Sequence, residues 1–292
     1  MDLDLGQLRA LAAAVTTGSL DGAARALHVT PSAVSQRLKA LEAATGRVLL
    51  VRSKPVRVTS SGAAVLRLAR QLELLAADTA RELDGGESPG RRITMPIAVN
   101  ADSLATWVLP ALAPLAPGYS FDLRSTDQEH TVDLLRDGTV MAAVTAEADP
   151  VPGCRVARLG VMRYRPMATP DFARRWFPAG ISAEALAAAP VVVFDRRDDL
   201  QHAYLRRHGA GDPPTSYVPS SADYLRAIRL GLGWGMVPDL QLSAAGDGAE
   251  LAELEPDGVI DVVLYWQQWR LVTPALDRVA DAVREAARRR LD

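Results

Sequence analysis

The chain has 292 residues, 48% of them hydrophobic, with a net charge of −2 and one cysteine, Cys154. That length suits two domains and a sizeable core, which excludes a disordered polymer, and no run of about 18 uninterrupted apolar residues suggests a membrane helix. A lone cysteine forms no intrachain disulfide, as expected of a cytoplasmic protein, and the acidic start (Asp2, Asp4) is unlike a secretory signal. Nine basic residues but a single acid, Glu42, fall between Gly22 and Leu72, so the remainder carries the balancing acid. Such a block marks a polyanion partner, although a solvated basic face is the plainer alternative.

Leu5, Leu8, Leu11, Ala12 and Val15 recur at helical spacing and predict a first helix that Gly18 stops. Ser19 caps a second helix with Leu20, Ala23, Ala24 and Leu27 inward, and His28-Val29 turns the chain. Thr30 caps a third helix, with Pro31 at its first position and Gly46 past its end. On it Val34, Leu38 and Leu41 face inward, whereas Ser32, Ser35, Gln36 and Lys39 face outward. Short hydrogen-bonding side chains and a glutamine able to pair with adenine suit a helix lying in a major groove. Val48–Arg52 and Val56–Thr59, around Ser53-Lys54-Pro55, predict a hairpin wing with Arg52, Lys54 and Arg57 placed for phosphates.

Leu8-Arg9-Ala10-Leu11, Gly18-Ser19-Leu20-Asp21-Gly22-Ala23-Ala24 and the run from Thr30-Pro31-Ser32 through Ser35-Gln36-Arg37-Leu38-Lys39 to Glu42 resemble the signature of LysR-type regulators. The resemblance implies a winged helix-turn-helix over residues 1–60, with Thr30, Pro31, Ser32, Ser35, Gln36, Arg37, Lys39, Arg52, Lys54 and Arg57 at the DNA. It implies double-stranded operator DNA and RNA polymerase as partners, and a homodimer or homotetramer.

From Ser61 to about Leu83 the chain is helix-forming, and Val65, Leu68, Leu72 and Leu75 step by 3, 4 and 3. That is the spacing of a dimer seam, with packing on the helix's own domain as the alternative. Residues 61–90 thus predict a linker helix followed by a hinge at Gly85-Gly86-Glu87-Ser88-Pro89-Gly90.

Residues 91–292 alternate. Strands are expected at Ile93–Val99, Phe121–Ser125, Met141–Thr145, Val191–Asp195 and Gly235–Val237, and helices at Ser103–Leu112, Thr131–Arg136 and Ser221–Leu230. This is an α/β pattern with parallel sheets, whose ligands bind at strand C-termini near helix N-termini. Gly231-Leu232-Gly233-Trp234-Gly235-Met236-Val237-Pro238 leads from helix into strand, the reverse of a dinucleotide loop, and is similar to the glycine-rich segment of LysR effector domains. Those domains resemble periplasmic binding proteins, which implies two subdomains, here about 91–164 with 270–292 and 165–269, joined by crossings near Arg163–Ala168 and Arg270–Thr273.

Val99-Asn100-Ala101-Asp102-Ser103-Leu104-Ala105-Thr106-Trp107, Val191-Val192-Val193-Phe194-Asp195, Asp198-Asp199 and Leu264-Tyr265-Trp266 resemble the arginine- and lysine-responsive branch of the family, the ArgP or LysG group. That implies lysine or arginine as effector and control of amino-acid export or metabolism. Asn100, Asp102, Ser103, Asp127, Thr145, Asp195, Ser221 and Asp223 fall at expected strand ends or helix starts. Acids there fit a cationic ligand, and Ser103 with its neighbouring N–H groups fits a carboxylate; helix capping is the alternative for Asp102 and Asp223. An organic-acid effector remains a rival, as does an origin-binding architectural protein.

An enzyme is not expected, nor are a cofactor, a metal or a membrane. His28, His130, His202 and His208 form no metal-type pair, and no Gly-x-Ser-x-Gly elbow is present. Cys154 reads as structural.

Overall fold

The computed structural model describes residues 3–51, 53–83, 92–126, 128–242 and 250–291. Arg52, Asp127 and the expected hinge at Gly85–Gly90 lie outside the described residues.

The first three helices are α1 (Leu5–Thr17), α2 (Leu20–Ala26) and α3 (Pro31–Thr45). Each begins at a residue whose side-chain oxygen accepts a backbone N–H: Asp4 from Gln7, Ser19 from Gly22, Thr30 from Ala33. Gly18 and Gly46 take left-handed conformations after α1 and α3, as residues without a Cβ do readily. Leu8, Leu11, Val34, Leu38 and Leu41 fill the core of this domain. The wing is β1 (Leu50–Val51) paired antiparallel with β2 (Arg57–Val58), two residues each and shorter than expected.

Helix α4 (Ser60–Leu83) follows at once. Its inner face closes the first core through Leu66 and Ala69 and then enters the core of the next domain at Leu74. Of the expected seam, Val65 and Leu72 pack half-buried against the winged domain's own core and Leu75 is 42% exposed. Three polar side chains of α4, Arg67, Asp78 and Arg81, fasten it to the C-terminal domain. Arg67 donates to Arg136 O at 2.6 Å, Ala275 N donates to Asp78 at 3.4 Å, and Arg81 donates to Gly118 O with its guanidinium over the Tyr119 ring.

The C-terminal domain is built on a seven-stranded sheet. β3 (Ile93–Asn100) lies parallel to β4 (Tyr119–Thr126) and to β5 (Ala142–Thr145), and is apolar and buried along nearly its whole length, as a strand covered on both faces must be. β3 runs directly into a helical segment comprising α5 (Ala101–Ser103), a π turn (Leu104–Val108) and α6 (Leu109–Leu112). α7 (Gln128–Arg136) precedes β5.

The sheet is mixed rather than parallel. β6 (Cys154–Ala168) is long enough to serve both halves of the domain: Cys154 to Tyr164 pair antiparallel with a later strand, and Tyr164 to Ala168 pair with strands of the second half. That second half carries α8 (Pro170–Trp176), α9 (Ala183–Ala188), β7 (Val191–Val193), α10 (Leu200–Arg207), β8 (Thr215–Tyr217), α11 (Ser221–Arg229), β9 (Gly235–Pro238), α12 (Asp239–Leu242) and β10 (Ala252–Glu253). The chain returns along β11 (Ile260–Trp269) and ends in α13 (Pro274–Arg290). The expected crossing at Arg270–Thr273 is therefore corrected. The return is made by β11, which pairs with β5 and β6, and residues 270–273 only lead into α13, which Thr273 caps. Cys154 is buried, and desolvation pushes its thiol up to about 11, which leaves it a thiol rather than a thiolate.

Candidate nucleic-acid interface and effector site

The outward face of α3 is open. Ser32, Gln36 and Lys39 are exposed and Ser35 is half-buried. Thr30 is committed to the cap, accepting from Ala33 N at 3.1 Å, and Pro31 occupies the first position. Arg37 turns away from this face, half-buried with its guanidinium beside Gly6 of α1. The wing stands at a set height beside α3. Leu49 N donates to Glu42 at 2.9 Å, Thr59 Oγ1 donates to Val48 O at 2.7 Å, and Val56 N donates to Gly18 O at 3.0 Å. Lys54 and Arg57 are exposed on it. A hydrogen-bonding helix face flanked by a cationic hairpin can read base edges and hold phosphates at once.

The second site forms where β3 ends. Asn100 stands at the cap position of the helical segment without capping it, so Asp102 lies in the first turn rather than at the cap. Its carboxylate instead gathers side chains from three separate elements. Tyr164 OH (β6) donates at 2.9 Å, Ser221 Oγ (α11) at 2.8 Å and Gln241 Nε2 (α12) at 3.3 Å. Gln241 also donates to Ser221 Oγ at 2.5 Å. Burial pushes the pKa of Asp102 above the usual carboxylate range, and the hydrogen bonds from Ser221 and Tyr164 oppose that rise without cancelling it. The Tyr164 hydroxyl, buried beside this acid, is held well above the usual phenol range.

Around Asp102 several buried polar atoms are left without partners: Asn100 Oδ1, Ser103 Oγ, Gln201 Oε1 and Gln241 Oε1. Three of the four are amide oxygens, which only accept. Among the described residues no lysine, arginine or histidine side chain is bonded to Asp102. A carboxylate with surplus acceptors and no cation suits a small molecule rich in N–H donors.

Of the other residues expected here, Thr145 is buried and its hydroxyl accepts from Glu147 N at 3.1 Å. Asp195 accepts from Arg197 N at 2.8 Å and from Asp198 N at 3.1 Å, so its carboxylate shapes the turn after β7. Asp223 is exposed, two residues along α11 from Ser221, and takes no part in the cluster. Tyr164, Tyr224 and Gln241 are not among the residues that the sequence singles out. Each comes from a different element, and no local spacing links any of them to Asp102.

Comparison with known proteins accords with both halves. Residues 5–63 match the bacterial regulatory helix-turn-helix proteins of the lysR family, and residues 87–288 match the LysR substrate binding domain. The HTH-type transcriptional regulator LysG of Mycobacterium tuberculosis (strain ATCC 25618 / H37Rv) is 47% identical over 288 residues, which cover 98% of this chain and 94% of that protein. The crystal structure of ArgP from Mycobacterium tuberculosis superposes with a TM-score of 0.82 at 44% identity, covering 98% of each chain. Full-length LysG from Corynebacterium glutamicum with bound effector Arg superposes with a TM-score of 0.74 at 41% identity, covering 99% of each chain. With a helix-turn-helix and wing at one end, a buried acidic cluster at the other and matches that span both, the chain belongs to the LysR family of bacterial helix-turn-helix regulators.

Proposed function

We propose that this protein is a sequence-specific, DNA-binding transcriptional regulator whose activity answers to a basic amino acid, arginine or lysine, and that it governs genes of amino-acid export or metabolism. The observation that carries the effector assignment is the Asp102 site, a carboxylate ringed by three donors, with neighbouring buried acceptors unused and no basic side chain bonded to it. The similar LysG of Corynebacterium glutamicum holds Arg as its bound effector. An anionic effector would have to sit against Asp102, which disfavours the organic-acid reading.

On the DNA side, Ser32, Ser35 and Gln36 read bases, while Lys39, Lys54, Arg57 and Arg52 hold phosphates. The apolar positions Leu68 and Leu75 of α4, which the winged domain's own core leaves out, pair two copies, giving the two-fold symmetry an operator demands. The protein works in the cytoplasm as a homodimer or homotetramer alongside RNA polymerase, and it is not an enzyme. Because Tyr164, Ser221 and Gln241 reach Asp102 from different elements, a ligand on Asp102 alters how the two halves of the domain close. Arg67, Asp78 and Arg81 convey that change to α4.

The test is a thermal-shift series on the full chain with arginine, lysine, citrulline and common organic acids. At about 100 times its dissociation constant an effector stabilises by about 2.7 kcal/mol. Stabilisation by arginine or lysine supports the reading, whereas stabilisation by an organic acid alone overturns the effector assignment. A discrete footprint that arginine reshapes would separate a regulator from an origin-coating protein.

A further inference from the structure

A second acid, Asp198, faces the Asp102 site. Asp198 follows β7 in a turn that Asp195 holds together. Its two oxygens each accept one backbone N–H, from Phe194 at 3.4 Å and from Leu200 at 3.1 Å. A carboxylate oxygen accepts about two hydrogen bonds, so each keeps acceptor capacity, and a carboxylate with capacity on both oxygens can receive a forked donor.

Asp198 lies close enough to Asp102 for the two charges to repel, and both acids act on the same two buried phenols, Tyr164 and Tyr224. Tyr224 OH is itself occupied, donating to Met236 O at 3.1 Å and accepting from Gln201 Nε2 at 2.7 Å. The Gln201 amide is thereby locked with its Oε1 buried and unpartnered, although the residue is only 1% exposed. Among the described residues no basic side chain is bonded to either carboxylate; His202 reaches only the backbone carbonyl of Asp198, at 3.3 Å. Two half-buried acids that repel each other, with spare acceptors beside them, form a site completed by positive charge brought from outside.

We propose that Asp198 is the second ligand carboxylate of this site, taking the cationic side-chain end of an amino acid whose α-ammonium sits on Asp102. The inference rests on the reading of the Asp102 site as one for basic amino acids and adds a requirement for two separated positive charges. Asp102 accepts two hydrogen bonds on one oxygen and one on the other, which leaves acceptor capacity for a compact ammonium, next to Ser103 and the helix start that suit the α-carboxylate. Asp198, with acceptor capacity on both oxygens, suits a guanidinium or a terminal ammonium.

The experiment is calorimetric titration of full-length wild-type and Asp198→Asn protein with L-arginine and with L-citrulline, its uncharged near-isostere. Wild type should bind arginine and prefer it to citrulline. In Asp198→Asn, arginine affinity should fall by at least about 30-fold while citrulline affinity stays within about threefold, which erases the preference. An equal loss for both ligands would make Asp198 a turn-shaping residue and overturn the proposal. If wild type itself bound arginine no better than citrulline, the reading of the whole site would fail, a result visible before any variant is made. Asp198→Glu provides a second line should the asparagine variant fold poorly. It keeps the charge but advances it by one methylene, so preference should move from arginine toward the shorter ornithine, and an unchanged order would count against the assignment.

Discussion

Replacing Asp102 by asparagine should push binding and stability in different directions. The carboxylate accepts from Tyr164, Ser221 and Gln241 at 2.9, 2.8 and 3.3 Å, yet burial still holds its pKa above the ordinary value. An acid raised in this way weakens the fold wherever it is ionised, so at neutral pH the charge costs the unliganded protein stability. Asparagine keeps the shape and one acceptor, and the Tyr164 and Ser221 hydroxyls can rotate to accept from its NH2. Unliganded Asp102→Asn should therefore be as stable as wild type or more so in urea denaturation at pH 7 and fixed protein concentration. Arginine affinity should fall by at least about 2 kcal/mol, or 30-fold, as expected when one member of a buried charge pair is neutralised. Asp102→Ala is the contrast: it strands three donors, each costing about 1–3 kcal/mol when buried and unpaired. A clear loss of stability in Asp102→Asn, or arginine binding within threefold of wild type, would refute the view that the charge is kept for the ligand.

Other consequences can be checked independently. Gln36→Ala should relax discrimination at one base position by about 1–3 kcal/mol, whereas Lys39→Ala should weaken all sequences alike and flatten the salt dependence by about one ion, both measured by operator titration. A Cβ on Gly62 would lie 1.9 Å from Leu49 O, backbone against backbone at the joint of wing and α4, so Gly62→Ala should cost at least about 1–3 kcal/mol in urea denaturation. His28 adopts φ 53° in the turn between α2 and α3, a region costly for branched side chains; His28→Val should lose about 1–2 kcal/mol and His28→Gly little, and equal melting temperatures would contradict the backbone argument. Desolvation and the nearby Asp102 push Asp198 up to about 6, so the stability it confers is present in acid and lost as pH rises through that value. The melting temperature of unliganded protein should thus fall between about pH 4 and 6 and level off above, and the Asp198→Asn variant should show a flatter profile.

Much of the DNA-binding end was legible because its determinants are local. Asp4, Ser19 and Thr30 cap helices within three residues of themselves, and Gly18 and Gly46 end helices by their own backbone freedom. The faces of α3 follow from the helical repeat, so the outward set Ser32, Gln36 and Lys39 could be named before any contact was known. Arg37 escaped that logic because its long side chain turns toward Gly6 of α1, a contact between helices.

The effector end divided differently. Asp102 could be singled out because a strand end meeting a helix start is a local pattern, and the alternation of strands and helices announced an α/β domain. The mixed sheet could not be foreseen, since β6 and β11 meet antiparallel across about a hundred residues of sequence, and their apolar runs look the same whichever way they pair. The same distance hid the partners of Asp102. Tyr164, Ser221 and Gln241 lie 62, 119 and 139 residues away, and hydrogen bonds of that span carry no periodicity. Sequence alone thus determined the helices of the winged domain, their caps and the acid at the end of β3, because neighbours a few residues apart decide those. Only the tertiary structure decided that Asp102 is ringed by donors and faced by Asp198, because folding alone brings such distant groups into one desolvated site.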